Sequence, residues 1–202
     1  MNPKTPPNLL PCDGIVEDYG TVVAPAQADA WLHALLAGVP WQHDEVMMYG
    51  RRIVTARQMA WYGDAGLHYR YSGITRQPLP WSPLLVQIRT QVQARLAPAV
   101  PVSFNSCLLN RYEDGRQGMS WHADDEPELG AAPVIASLSL GASRKFVLRH
   151  RQGGQKISLM LAHGQLLVMR GSTQRHWQHA LMKSSRVQAP RVNLTFRLIV
   201  PR

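Results

Sequence analysis

The chain has 202 residues, of which 45% are hydrophobic and 17% charged, so one folded domain with a sizeable core is expected and general disorder is excluded. The net charge is +9, carried by 18 Arg and 4 Lys, and an arginine excess is typical of proteins that bind anions such as nucleic acid. No apolar run approaches the ~18 residues of a membrane span, no secretory signal is expected behind Lys4, and two distant cysteines exclude a disulfide framework.

Two helices are predicted in the first half of the chain. Residues 1–24 are expected to form an N-terminal arm, because four prolines lie within its first eleven positions. A helix over 26–37 follows, and a second helix begins where Ser82 can cap it and Pro83 can take its first position. The second helix has an apolar stripe at helical spacing, made of Leu85, Ile88, Val92 and Leu96.

The pattern changes to strands after Pro101. Turn signals such as Gly141 and Gly164 separate the short apolar segments. The predicted strands are 102–112, 134–140, 144–149, 156–161, 165–169 and 191–199. Many short strands of this kind favour a β-sandwich or barrel, here preceded by helices within one domain.

The charge is divided unevenly along the chain. Residues 113–128 contain six acids and one arginine, a net charge of −5, which leaves +14 on the rest. A basic body with one acidic segment is what we expect of a nucleic-acid protein with a metal site, although a merely basic protein would have the same balance.

Histidines and one aspartate provide that candidate metal site. His122 and Asp124 are two residues apart, so on a strand both side chains project from the same face. A second histidine from His176-Trp-Gln-His179 would complete the two-histidine, one-carboxylate triad of non-haem Fe(II) oxygenases. The spacing alone leaves open which of His176 and His179 is the ligand.

The segment 191–197 has a polar face that a core strand would have to bury. Alternation places four polar residues on one side: Arg191, Asn193, Thr195 and Arg197. Inside a barrel such arginines need an anion, since an unpaired buried charge is costly, and a small dicarboxylate would satisfy them. Asn110 and Tyr112 share a face of an earlier strand and could add neutral hydrogen bonds. A surface strand with a solvated polar face is the alternative.

Four separated motifs occur in this order: Asn110-Arg-Tyr112, His122-Ala-Asp124-Asp125, His179-Ala-Leu, and Arg191-Val-Asn-Leu-Thr-Phe-Arg197. Together they resemble the AlkB family of Fe(II)- and 2-oxoglutarate-dependent nucleic-acid repair dioxygenases. The resemblance covers about residues 48–199. It also includes Tyr62-Gly-Asp-Ala-Gly66, Tyr69-Arg-Tyr71-Ser-Gly73 and Ala136-Ser-Leu-Ser-Leu-Gly141.

The resemblance implies a mainly β fold with flanking helices. The expected core is a double-stranded β-helix, or jelly-roll, preceded by an N-terminal helical and substrate-lid region. Within the single domain of residues 1–202, we expect the arm at 1–24, the helices and nucleotide-recognition region at 25–100, and the catalytic core at 101–202.

The same resemblance implies the ligands of the metal and the cosubstrate. Fe(II) would be bound by His122, Asp124 and His179, which leaves His176 without a role. The residues implied around 2-oxoglutarate are Asn110, Tyr112, Arg191, Thr195 and Arg197.

The activity implied is oxidative demethylation of N-alkylated bases, such as 1-methyladenine and 3-methylcytosine, in DNA. The reaction would consume O2 and 2-oxoglutarate and release succinate, CO2 and formaldehyde, and a duplex base would have to be flipped out. On the family pattern Tyr69, Tyr71 and Asp125 lie near that base. We expect a monomer in the cytoplasm, associated with the nucleoid in a bacterium.

The loop Met48-Tyr49-Gly50-Arg51-Arg52 resembles one that some duplex-acting members push into the base stack. Tyr49 would be the inserted wedge, and Arg51 and Arg52 would hold phosphates. A surface hairpin with an exposed tyrosine is the alternative.

Three other functions are compatible with parts of the sequence. The same chemistry could act on RNA or on a protein side chain. A nucleic-acid-binding module that has lost catalysis is disfavoured because the triad is intact. A structural zinc protein would need four closed ligands.

Overall fold

The computed structural model describes residues 5–48, 51–67, 69–71 and 74–200, and for 45–48, 51–53, 69–71 and 74–76 it describes the backbone alone. In chain order the elements are β1 (Ile15–Thr21), α1 (Pro25–Gly38), β2 (Gln42–Met48), β3 (Arg51–Gly63), β4 (Tyr69–Tyr71), β5 (Ile74–Arg76), α2 (Pro83–Leu96), β6 (Ser106–Tyr112), β7 (Met119–His122), β8 (Ile135–Gly141), β9 (Arg144–His150), β10 (Lys156–Leu161), β11 (Gln165–Arg170), α3 (Thr173–His176), β12 (Trp177–Leu181) and β13 (Arg191–Arg197).

Both predicted helices are present, and their ends follow the predicted signals closely. Helix α1 extends one residue beyond each end of the predicted 26–37, because Pro25 occupies its first position and it runs to Gly38. In α2 the Ser82 hydroxyl accepts a hydrogen bond from the Leu85 backbone N–H at 3.3 Å, which satisfies one of the free donors of the first turn. The whole apolar stripe of α2 is buried: Leu85, Ile88, Val92 and Leu96.

The larger sheet has the order β1-β11-β8-β13-β6-β3-β2. One face of its central strands packs against the helices, because Val192, Leu194 and Phe196 share a core cluster with the helix residues. The opposite face of β13 therefore points to the interior of the molecule, where its polar residues lie.

A smaller sheet of order β10-β9-β12-β7 faces this interior from the other side. A second core cluster joins the two sheets, with Ile135 and Leu167 from the larger sheet and Phe146, Leu148 and Trp177 from the smaller one. Two antiparallel sheets packed in this way form the expected jelly-roll, with helices outside the larger sheet.

The larger sheet also recruits strands from the first 63 residues, which the sequence pattern did not indicate. β1 pairs with β11, and β3 pairs with β6. The segment predicted as an N-terminal arm thus contains a strand of the sheet, and Leu10 before it is buried. Residues 102–105, predicted as strand, lie outside β6. No helix among the described residues is both long and apolar enough to cross a membrane.

Candidate metal centre and cosubstrate cavity

Three predicted metal ligands meet at one end of the smaller sheet. His122 ends β7 and lies directly opposite His179 of β12, with ring centroids 4.2 Å apart. Asp124 follows in the loop after β7, and one ligand atom from each of the three residues lies within 4.8 Å of the others. Strand pairing therefore brings together residues that are 57 positions apart in the chain.

Hydrogen bonds orient two of these side chains. The His122 Nδ1–H donates to the Ser120 carbonyl at 2.8 Å, because a carbonyl can only accept, and this leaves Nε2 free for a metal. An Arg197 Nη atom lies 2.9 Å from Oδ1 of Asp124, and the Asp124 backbone N–H donates to Oε1 of Gln174 at 2.9 Å. The carboxylate thus has one oxygen engaged by a cation while it faces the two histidines.

The protonation states also suit a metal ligand set. Burial and the neighbouring His122 lower the pKa of His179 to about 3, so its imidazole is neutral at physiological pH. Burial acts to raise the pKa of Asp124, but the adjacent charge of Arg197 opposes it most strongly, and the pKa lies below its ordinary value. Imidazole nitrogens and a carboxylate oxygen are the donors that Fe(II) takes in such sites.

A second group of possible ligands, Cys12, Asp13 and His150, also has ligand atoms within 4.8 Å. Here the His150 Nδ1 accepts backbone N–H bonds from Gln152 and Gly153 at 3.2 and 2.9 Å. The Nε2 atom must then carry the ring proton, and it donates to Asp13 at 3.2 Å. A metal would have to displace this proton, so the group does not fit a metal site. His176 ends α3 and stacks on His150 with ring centroids 6.2 Å apart, away from the triad.

The triad opens into a cavity of about 140 Å³ between the sheets. All five predicted cosubstrate residues line it: Asn110, Tyr112, Arg191, Thr195 and Arg197. They come from the adjacent strands β6 and β13, where Tyr112 pairs with Arg191 and Asn110 pairs with Asn193. Asn193 lines the cavity as well and accepts from Arg191 at 3.0 Å.

Arg191 provides the clearest evidence for an anionic ligand. It is 1% exposed, its Nη2 donates to the Ser139 hydroxyl at 2.9 Å, and its buried Nε has no acceptor among the described residues. Burial lowers its pKa to about 10, which still leaves the guanidinium charged at neutral pH. No described carboxylate forms an ion pair with it. A buried cation that has a free N–H and no described carboxylate beside it is suited to bind a carboxylate of 2-oxoglutarate.

The residues predicted to contact the substrate are not among those that the structure brings into the cavity. Asp125 is exposed and pairs with Arg151 at 2.9 Å, so it is not brought into the cavity. Tyr69 and Tyr71 are the first and last residues of β4, for which the structure describes the backbone alone. Arg51 and Arg52 begin β3 and pair with β2 through their backbone. Tyr49 lies outside the described residues.

Three charged residues of the cavity lining were not predicted. Glu126 lines the cavity near the triad, and its buried Oε2 has no donor among the described side chains and backbone. Asp44 and Arg57 reach the cavity from β2 and β3 as a buried ion pair. The acidic run after His122 was a usable signal for Glu126, but the local turn decides which acid points inward. Asp44 and Arg57 carried no local signal.

A jelly-roll with a two-histidine, one-carboxylate triad on one sheet and an unpaired buried arginine on the facing sheet defines the class of Fe(II)- and 2-oxoglutarate-dependent oxygenases. Comparison with known proteins agrees. A family model described as "2OG-Fe(II) oxygenase superfamily" matches residues 18–197. The "DNA oxidative demethylase ALKBH2" of Mus musculus is 40% identical over 203 residues, 95% of this chain and 83% of that protein.

A second sequence relative and one solved structure agree with this assignment. The "Alpha-ketoglutarate-dependent dioxygenase alkB homolog 3" of Homo sapiens is 38% identical over 91% of this chain and 65% of its own length. The solved structure titled "The structure of OsALKBH1" superimposes with a TM-score of 0.61 at 16% identity, covering 95% of this chain and 99% of that one, which shows the common fold. The chain belongs to the AlkB family of the 2OG-Fe(II) oxygenase superfamily, and it is an Fe(II)- and 2-oxoglutarate-dependent dioxygenase that uses O2.

Proposed function

We propose that this protein repairs DNA by oxidative demethylation of N-alkylated bases such as 1-methyladenine and 3-methylcytosine. The observation that carries the proposal is the single cavity that holds both the triad and the unpaired Arg191, in a chain 40% identical to a DNA oxidative demethylase over most of both lengths. Fe(II) held there would activate O2 with 2-oxoglutarate as the co-reductant: one oxygen atom would enter a C–H bond of the N-methyl group, 2-oxoglutarate would become succinate and CO2, and the hydroxymethyl group would leave as formaldehyde.

The protein's own groups hold the reactants and exclude water. His122, Asp124 and His179 bind the metal, and Arg197 keeps the Asp124 carboxylate in place. The residues proposed to bind 2-oxoglutarate are Asn110, Tyr112, Arg191, Thr195 and Arg197. Among the described residues no carboxylate pairs with Arg191, so it takes a cosubstrate carboxylate.

The base is bound at the metal end of the cavity. Glu126 has a buried carboxylate oxygen free to accept from the exocyclic amino group that adenine and cytosine share, which supports those bases over thymine. We propose that Tyr69 and Tyr71 lie beside the base, and that Asp125 lies beside it at the solvent-exposed side of the site. Tyr49 is proposed as the wedge.

The partner is alkylated DNA, with RNA as the alternative substrate. Arg51 and Arg52 are proposed to contact phosphates, and the +9 charge of the chain favours a polyanion over a protein substrate. We further propose that the protein acts as a monomer in the cytoplasm, on the nucleoid in a bacterium. The two free cysteines, one exposed and one buried, are compatible with that reducing compartment.

One assay tests this function. The protein is incubated with Fe(II), 2-oxoglutarate and matched DNA and RNA oligonucleotides that carry 1-methyladenine or 3-methylcytosine, and loss of the methyl group is followed by mass spectrometry. Demethylation that requires 2-oxoglutarate and is absent in His179→Ala is expected. Equal or greater rates on RNA would move the proposal to RNA, and no demethylation of any oligonucleotide would reject it.

A further inference from the structure

A buried chain of three side chains connects the β2–β3 hairpin to the cosubstrate face. Arg57 of β3 donates from Nε to Oδ1 of Asn110 at 2.9 Å and from an Nη to Oδ2 of Asp44 at 3.2 Å. Arg57 is 7% exposed and Asp44 is 1% exposed, and both line the cavity. Neither residue has a part in the functions assigned above.

The contact fixes which way the Asn110 amide points. A guanidinium has only donors, so the amide atom that faces Nε of Arg57 must be the oxygen. The amide nitrogen then lies on the other side of the group, with two N–H donors available to the cavity. If Arg57 were absent, the amide could rotate and present its oxygen to an anion, which would repel it.

Asp44 compensates the positive charge that Arg57 would otherwise leave buried in the cavity. An unpaired Arg57 would add an uncompensated buried charge, whereas the ion pair with Asp44 neutralises it. Two anchors, Asp44 and Asn110, also hold the guanidinium plane in one orientation. Arg191 therefore remains the buried cation of the cavity that has no carboxylate partner among the described residues.

We propose that Arg57 is a positioning residue for 2-oxoglutarate: held by Asp44, it sets the Asn110 amide as a hydrogen-bond donor towards the acidic cosubstrate. This inference rests on the proposed role of Asn110. Arg57 acts through Asn110 and not by touching the cosubstrate.

The first test is a binding measurement that does not depend on turnover. 2-Oxoglutarate is titrated by calorimetry into protein loaded with Mn(II), for the wild type and for Arg57→Met combined with Asp44→Asn. The combined variant removes both charges together, so no lone buried charge is left to unfold the protein. We expect its dissociation constant to rise about tenfold through loss of the fixed donor. Thermal unfolding confirms that the variant is folded.

A matched control removes a different ion pair, one whose arginine is next to Asn110 in the chain. Arg111 neighbours Asn110 on β6 and pairs with Glu113 at 2.7 Å at the surface. Arg111→Met combined with Glu113→Gln should leave the dissociation constant of 2-oxoglutarate unchanged.

A double-mutant cycle tests whether Arg57 acts through Asn110. In an Asn110→Ala background, the Arg57→Met and Asp44→Asn pair should weaken 2-oxoglutarate binding by little more, because the amide it orients is gone. Equal losses in both backgrounds would overturn the inference. So would an unchanged dissociation constant accompanied by a higher KM for the methylated oligonucleotide, since Arg57 would then contact the base. Failure of the wild type to bind 2-oxoglutarate would overturn the proposed function itself.

Discussion

His176 and His179 compete in the sequence for the third metal position, and their surroundings separate them. His179 faces His122 across a strand pair, whereas His176 stacks on His150 outside the cavity. We expect His179→Ala to abolish Mn(II) binding and turnover, because a three-ligand site has no spare donor, and His176→Ala to retain much of both. Calorimetric metal titration measures this. Metal binding that survives His179→Ala but is lost in His176→Ala would reverse the assignment.

Replacing Arg191 should weaken cosubstrate binding without lowering the stability of the ligand-free protein. Arg191→Met is expected to raise the dissociation constant of 2-oxoglutarate about 10- to 100-fold, since charge-assisted hydrogen bonds contribute about 1.5–3 kcal/mol. The same change removes an unpaired buried cation, so the melting temperature of the ligand-free protein should not fall. Titration and thermal unfolding measure the two effects. An unaltered dissociation constant would remove Arg191 from the cosubstrate site.

The pKa of His179 predicts how the metal-free protein responds to acid. Burial and His122 lower this pKa to about 3, while an unfolded histidine titrates near 6.5. Between these values the unfolded chain binds more protons than the folded one, so stability falls as the pH is lowered from about 6.5 towards 3. Denaturant unfolding at a series of pH values should give a shallower dependence for His179→Gln than for the wild type. Equal slopes would contradict the lowered pKa.

Side chains in the site differ in how far the sequence could predict them. Asn110 and Tyr112 lie at strand spacing on β6, and His122 and Asp124 belong to one short motif although Asp124 lies in the loop after β7; all four reach the cavity. Glu126 was missed because the loop after Asp124, not a regular period, decides that it turns inward while Asp125 turns out. Arg57 and its partner were missed because a buried ion pair depends on tertiary contacts that leave no local pattern.

At the scale of elements, helix α2 was predictable because its cap, first proline and apolar stripe all lie within fifteen residues. Strands β1 and β3 were not, since their partners β11 and β6 are remote in sequence. Their buried polar residues also disturb the apolar alternation: Glu17 in β1 is 2% exposed and pairs with Arg170, and Arg57 interrupts β3. Long-range pairing of this kind can be seen only once the sheet is assembled.

The β2–β3 hairpin carries the proposed wedge, and this element should distinguish duplex from single-stranded substrates. Tyr49→Ala is expected to reduce activity on duplex DNA much more than on single strands. The reason is that exposing a duplex base costs a few kcal/mol of stacking and pairing, which an inserted ring offsets. Matched oligonucleotides with the same lesion measure the effect. Equal losses would leave Tyr49 as a surface or packing residue.

Arg51 and Arg52 provide the comparison for that experiment. Phosphates are present in both substrates, so replacing these arginines should weaken both and reduce the salt dependence of binding. A loss confined to duplex DNA would indicate a role in base insertion for them as well.

At the scale of the whole molecule, the site spans both sheets. The metal ligands belong to the smaller sheet and its loop, and the cosubstrate residues belong to the larger sheet. Within the site, the ion pair between Arg197 and Asp124 already links the two sides. Ligands that engage both sides would therefore act as a removable cross-link between the halves of the jelly-roll.

Such a cross-link should suppress breathing of the two sheets. Mn(II) and 2-oxoglutarate together should slow amide hydrogen exchange in β12 and β13 more than either does alone, as mass spectrometry of the exchanged peptides would measure. Protection confined to β12 would mean that the bound ligands do not connect the two sheets, which would contradict the prediction. If both strands are protected, the empty enzyme is the form most open to proteases, and the supply of iron and cosubstrate governs how long the protein survives as well as how fast it works.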